Sequence, residues 1–127
     1  IQPPGVRQGN HSHKWFLNNE VPNQNVRLGD HIALGSNNSF GDNVYLKDLV
    51  AIGSNAQIGN NVIIDRSVIW DNVKIGNNVI IEQSIIANNV EIGDNVIVRS
   101  ESVIGPGVKI SAGKILDCQI IKEDSVV

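Results

Sequence analysis

The sequence predicts an all-β chain folded as a parallel β-helix, a solenoid of about six triangular coils. Three observations support this prediction: aliphatic residues recur at six-residue intervals, Asn or Gly stands at a fixed place between them, and aromatic residues are scarce. Aromatic residues make up 4% of the chain and Met is absent, although 41% of the residues are hydrophobic. Stacked strands fit this composition better than a globular core, which depends on large aromatic and adaptable side chains.

The six-residue interval is clearest where an apolar residue precedes Gly, at Leu28, Leu34, Phe40, Ile52, Ile58, Ile75, Ile92 and Ile104. Steps of six continue to Val127, except for steps of five at 64–69, 81–86 and 116–121. A helix would need apolar residues three and four apart, whereas this β-branched pattern predicts short strands with alternate residues inward. A longer repeat of 17 or 18 residues starts at Ser67, Ser84 and Ser102, so that three steps make one coil.

The corners of the triangle are predicted three residues after the inward aliphatic residue. A tight corner needs a positive φ, which Asn and Gly tolerate best. The residues at this place are Asn37, Asn43, Asn55, Asn61, Asn72, Asn78, Asn89, Asn95, Gly107 and Gly113.

The N-terminal segment breaks the pattern. Residues 1–24 are predicted to form a linker or arm, in which the apolar Trp15-Phe16-Leu17 lies on the first coil as a cap, and residues 25–127 form the β-helix. A cap is expected because an open solenoid end exposes strand edges. The first residue is not Met, and we expect the sequence to be part of a longer chain.

The outward residues must carry the function, since the fold fixes the inward ones. One side of the prism is almost wholly apolar, and we predict that it binds a partner protein. The predicted partner-binding residues are Val68, Trp70, Ile85, Ala87, Val103 and Ile120, with Trp70 as the central anchor. The alternative is that another part of the same parent chain covers this side. Self-association of the isolated domain through it also stays open.

The sequence predicts no catalytic, cofactor or metal site. His11 and His13 form a pair without an evident third ligand, and His31 is the one His within the predicted coils. Nothing near Cys118 in the sequence would activate it, and a single Cys favours a reducing compartment, which we take to be the cytosol. A net charge of −3 argues against nucleic acid as a partner and against a basic membrane-binding surface.

Two resemblances extend this interpretation. The aliphatic-Gly steps resemble those of hexapeptide-repeat families, which implies a left-handed parallel β-helix, a hexapeptide-repeat solenoid. Residues 65–75, with Trp70 at a corner, and residues 99–108 and 111–116 resemble the β-helix of the epsilon subunit of eukaryotic translation initiation factor 2B. The five-residue steps fall in the same places, and the match covers roughly residues 38–116.

The second resemblance implies the middle part of a three-part subunit. In that family, a nucleotidyltransferase-like domain precedes the β-helix, and a helical-repeat domain after it performs guanine-nucleotide exchange on initiation factor 2. The fragment would then be a non-catalytic cytosolic scaffold that pairs with the related gamma subunit and helps to present initiation factor 2. Two alternatives stay open: the C-terminal domain of a sugar-nucleotide pyrophosphorylase such as mannose-1-phosphate guanylyltransferase, and a hexapeptide acyltransferase.

Overall fold

The computed structural model describes residues 6–8, 13–18 and 20–127, and within them the chain is an all-β parallel solenoid of about six turns. This confirms the predicted fold class. The strands of the described residues are β1 (Val6–Gln8), β2 (Lys14–Leu17), β3 (Val26–Leu34), β4 (Ser39–Phe40), β5 (Val44–Ile52), β6 (Gln57–Ile58), β7 (Ile63–Asp65), β8 (Val68–Ile69), β9 (Lys74–Ile75), β10 (Ile80–Glu82), β11 (Ile85–Ile86), β12 (Glu91–Ile92), β13 (Ile97–Arg99), β14 (Val103–Ile104), β15 (Lys109–Ile110), β16 (Ile115–Asp117) and β17 (Ile120–Ile121).

The strands stack into the three sides of a prism. The polar side contains β4, β6, β9, β12 and β15, which form a sheet of their own. The mixed side contains the first halves of β3 and β5, followed by β7, β10, β13 and β16. The apolar side contains β2, the second halves of β3 and β5, and then β8, β11, β14 and β17. Because β3 and β5 bend around a corner, they join the mixed and apolar sides into one sheet.

The core lies inside the prism, where the predicted inward residues of neighbouring coils stack. Ile64, Ile81 and Val98 are Cα partners in consecutive strands, and each is completely buried. The residues two positions earlier, such as Val62 and Val79, are also completely buried. Alternation along each strand therefore separates a dry interior from the outward faces, as the spacing predicts.

Each predicted Asn or Gly corner has a positive φ. The Asn residues at these corners have φ values from 57° to 63°, and Gly107 and Gly113 have 73° and 79°. Where Gly follows the inward residue, it leaves room for the backbone or for a side chain of the next coil. At Gly53, a Cβ atom would collide with Oδ1 of Asp71, which accepts a hydrogen bond from the Ser54 amide at 2.8 Å.

The third corner, between the mixed and apolar sides, uses residues that the corner rule did not predict. Positive φ values occur there at His31, Leu49, Arg66, Gln83 and Cys118. These L-residues adopt the left-handed region although neither Asn nor Gly is present, because the stacked coils on both sides fix the path of the chain.

Buried serines accompany the shortened steps at this corner. Ser67 and Ser84 occupy the inward position that Val50 fills in a full-length step, and all three are buried. The Ser84 amide donates to Ser67 Oγ at 3.1 Å, and Ser67 Oγ donates to the Asp65 carbonyl at 2.8 Å. The hydroxyl thus satisfies backbone groups that a tighter corner brings inside.

The parallel ladder begins earlier than the sequence predicts. Strand β2 pairs in parallel with β3, with Phe16 opposite Leu34, and Phe16 lies in the core. The ladder thus reaches Lys14, upstream of the boundary predicted at residue 25. Strand β1 pairs with β2 in the antiparallel direction and covers the edge of the first coil.

Candidate functional site on the apolar side

The predicted partner-binding residues lie together on the apolar side. Val68, Ile85, Val103 and Ile120 are Cα partners in consecutive strands, and all point outward. Trp70 and Ala87, which follow the inward residues Ile69 and Ile86, lie on the same side. Trp70 is 52% exposed and Ile120 is 79% exposed. The structure thus brings the predicted residues onto one side of the prism, where all of them except the half-buried Ala87 are exposed.

A groove crosses the apolar side over the first coils. Its volume is about 750 Å³. Small residues form its floor in β3 and β5 and just after them, and larger residues stand on the strands to either side. The floor residues are Ala33, Gly35, Ala51 and Gly53, and the larger residues are Trp15 and Leu17 on one side and Val68 and Trp70 on the other. The groove exists because coils with small outward side chains lie between coils with large ones.

Trp15 and Leu17 extend the predicted surface. Sequence reasoning placed them in a cap, because the six-residue register breaks at Pro22. The signal was nevertheless present, since Phe16 precedes Leu34 by 18 residues, which is one full coil. The outward neighbours of Phe16 therefore fall in the same row as Ala33 and Ala51. Aromatic residues at both ends of a groove are typical anchors of a protein interface.

The described part of the chain leaves the apolar side open. Its outward residues from β2 to β14 include Val68, Ile85 and Val103, each about two-fifths exposed. Burial of such a side requires little desolvation of polar groups, so contact with another apolar surface is favourable. The polar side differs, because Lys74, Glu91 and Lys109 alternate in charge along their ladder and are exposed.

A second group of side chains lies at the third corner of the first coils. His13 and His31 stack with ring centroids 4.4 Å apart and an interplanar angle of 17°. The His13 Nδ1 atom lies 3.3 Å from both carboxylate oxygens of Asp30, and the His31 Nδ1 atom lies 3.1 Å from Asp48 Oδ1. His13 thus also lies in the coils, and the prediction that His31 is the one His within them is wrong. His11 lies outside the described residues.

The charges of this corner favour an ionised carboxylate. Partial desolvation raises the pKa of Asp30, but the hydrogen bond from His13 and the charges of His13 and His31 outweigh it, so the pKa lies below its ordinary value. The side chains of His31 and Asp48 are both a little under half exposed. Cys118 is an exposed corner residue. No helix among the described residues is long and apolar enough to span a membrane.

Comparison with known families shows which family this solenoid belongs to. The family model described as "EIF2B subunit epsilon LbH domain" matches residues 12–116. The chain belongs to this family. The matched range of the EIF2B epsilon LbH domain includes β2 and most of the apolar side, and it ends at Leu116 in β16. Among curated protein sequences, none matches the chain significantly.

Solved structures confirm the left-handed parallel β-helix of this EIF2B epsilon LbH domain. A hexapeptide transferase family protein from Anaplasma phagocytophilum is similar, with a TM-score of 0.73 and 22% identity over 82% of this chain and 70% of that one. PerB from Caulobacter crescentus, solved with CoA and GDP-perosamine, has a TM-score of 0.62 and 22% identity over 82% of this chain. The acetyltransferase domain of PglB from Neisseria gonorrhoeae has a TM-score of 0.57 and 16% identity over 81% of this chain. The chain spans 46% of PerB and 54% of the PglB domain.

Proposed function

We propose that this domain is a non-catalytic scaffold within the epsilon subunit of eukaryotic translation initiation factor 2B. In this role it mediates assembly with the gamma subunit and helps to present initiation factor 2 in the cytosol, while guanine-nucleotide exchange belongs to another part of the parent chain. Membership of the EIF2B epsilon LbH family supports the proposal. The observation that carries it is the exposed apolar side, which runs along consecutive coils with Trp70 near its centre.

The residues of the apolar side suit a stable contact. Val68, Trp70 and Ile85 belong to adjacent coils of one rigid ladder, so a partner meets them in fixed relative positions. Such a surface loses little conformational entropy on binding, because β-branched and aromatic side chains have few rotamers to lose. The groove beside Trp70 offers a recess for a protruding side chain of the partner.

The hexapeptide acyltransferase remains the main alternative. A structural relative from Caulobacter crescentus is named a perosamine N-acetyltransferase and the one from Neisseria gonorrhoeae an acetyltransferase domain, and the fold is shared with them. At 21% and 16% identity, this likeness speaks for the fold alone. The steps of six or five residues continue from Leu28 to Val127 without the inserted loop that would shape an acceptor pocket. A sugar-nucleotide pyrophosphorylase would share the scaffold role, but with a different parent chain.

The experiment that tests the proposal measures association with the purified gamma subunit by analytical ultracentrifugation. We expect a one-to-one complex with the wild-type domain and a weaker one with Trp70→Ala. A fully exposed Trp presents about 250 Å², so the exposed 52% corresponds to about 130 Å² and, at about 25 cal/mol per Å², to about 3 kcal/mol if the partner covers it completely. That free energy corresponds to an affinity loss of about 100-fold.

Lys74→Ala is the matched control, because Lys74 is an exposed outward residue of the next strand but lies on the polar side. It should leave association unchanged. A complex that tolerates Trp70→Ala would place the interface elsewhere. No complex at all, together with a stable homotrimer that binds acetyl-coenzyme A, would replace the scaffold by the acyltransferase.

A further inference from the structure

The stacking of coils creates a cluster of metal-ligating side chains that neither the family nor the apolar side explains. His13 and His31 occupy equivalent places in the first two described coils, 18 residues apart, and Asp30 lies beside both. One potential ligand atom from each of the three residues lies within 4.8 Å of the other two. Two imidazoles and a carboxylate are a ligand set that divalent transition metals bind.

The distances allow one ion to reach all three groups. An ion at the centre of an equilateral triangle with 4.8 Å sides lies about 2.8 Å from each corner, and a zinc–ligand bond is about 2.1 Å long, so each ligand must approach by about 0.7 Å. The lone pair of a ring nitrogen lies in the ring plane, so the two stacked rings must open towards the ion. Rotation about the bond to the ring is soft, and the exposed corner leaves space for it.

Asp48 prepares one of the imidazoles for this role. A carboxylate accepts hydrogen bonds but does not donate them, so the Nδ1 atom of His31, 3.1 Å from Asp48 Oδ1, carries the proton. The same reasoning places a proton on Nδ1 of His13, 3.3 Å from Asp30. In both rings the lone pair therefore belongs to Nε2, and both rings must turn before one ion can reach Nε2 and Asp30 together. Metal-binding His residues usually donate their other ring N–H to a carboxylate or carbonyl in this way, which fixes the tautomer and strengthens the ligand.

We propose that His13, Asp30 and His31 form a binding site for a divalent transition-metal ion, best suited to Zn²⁺, which clamps the first described coil onto the second. Two nitrogen ligands favour zinc over Mg²⁺ or Ca²⁺, which prefer oxygen. Water completes the coordination, because the corner is exposed. The ion thus links β2 to β3 through side chains, in addition to the backbone hydrogen bonds between the two strands.

Titration of the whole 127-residue chain with Zn²⁺, followed by calorimetry and by thermal unfolding, tests the proposal. The main variant is His31→Asn, because Asn tolerates the φ of 58° at this corner and occupies the other corners of the same solenoid. We expect His31→Asn and Asp30→Asn to weaken zinc binding at least about 100-fold, and Asp48→Asn about tenfold. Zn²⁺ should raise the unfolding temperature of the wild type but not that of His31→Asn.

Two control variants separate this site from other zinc ligands of the chain. Cys118→Ser removes the exposed thiol and should leave zinc affinity unchanged. His11→Asn tests the His-x-His pair of the N-terminal segment. If zinc binding survives His31→Asn, or is lost with Cys118→Ser, the proposed site is wrong. Loss of zinc binding in His11→Asn but not in His31→Asn would place the ligands in the N-terminal segment and contradict the proposed site.

Discussion

The corner at Asn78 provides a direct test of the backbone geometry that closes the triangle. Asn78 has a φ of 58°, is exposed, and donates its amide to the Asn60 carbonyl at 2.9 Å. Replacement by Gly, Ala or Val keeps that backbone hydrogen bond and changes only the tolerance for a positive φ. The three variants therefore isolate the conformational preference of the residue from its contacts.

The expected order of stability at this corner is Asn about equal to Gly, then Ala, then Val. The left-handed conformation costs an L-residue about 1–2 kcal/mol, and Asn reduces this cost through local hydrogen bonding. We expect a loss of about 1 kcal/mol for Asn78→Ala and about 2 kcal/mol for the β-branched Asn78→Val. Asn78→Gly should stay within about 0.5 kcal/mol, because its freedom at positive φ is offset by its larger entropy in the unfolded chain.

Urea unfolding measures these differences. With an m-value of about 2 kcal/mol per M, the midpoint should fall by about 0.5 M for Asn78→Ala and by about 1 M for Asn78→Val. The same substitutions at Lys74, an exposed outward residue of β9, are the control. There the order should reverse, with Val at least as stable as Ala and Gly the least stable, because strands favour β-branched residues. Equal stability of Asn78→Ala and Asn78→Gly would refute a corner that is held by positive φ.

The interior offers further tests by the same measurement. Ser67→Ala should cost about 1–3 kcal/mol, because the buried Ser84 amide, 3.1 Å from Ser67 Oγ, loses its acceptor; an unchanged urea midpoint would mean that the hydroxyl has no structural role at the shortened corner. Ile81→Ala should cost about 2–5 kcal/mol, because Ile81 is completely buried between Ile64 and Val98 of the adjacent coils; a loss below about 1 kcal/mol would contradict the packed interior.

Spacing was sufficient to predict most of the fold. The inward positions repeat every six residues, and the Asn and Gly corners have an intrinsic preference for positive φ, so local sequence determines both. The third corner was not predictable in this way. Leu49 and Arg66 have no preference for the left-handed region, and they adopt it because the strands before and after them are already aligned with neighbouring coils.

The sequence predicted the residues in the middle of the apolar side but not those in its first described coil. Val68, Ile85 and Val103 follow the repeat, whereas Trp15 stands beyond Pro22, where no aliphatic residue marks the step. The contact of His13 with His31 depends on the same coil, the one that contains β2, which the six-residue spacing did not reveal. Once Phe16 is placed opposite Leu34, the 18-residue offset brings the two His residues to the same corner.

The alternation of the strands has a consequence for how such a domain can diversify. Ile69 points into the prism, whereas Val68 and Trp70 beside it point out. Selection for core packing therefore acts on Ile69, and selection for partner binding acts on its two neighbours. A substitution in the outward row can change which protein is recognised while the packing beneath it is unaffected. Related domains with the same interior can therefore acquire new specificities by single steps, without passing through unstable intermediates.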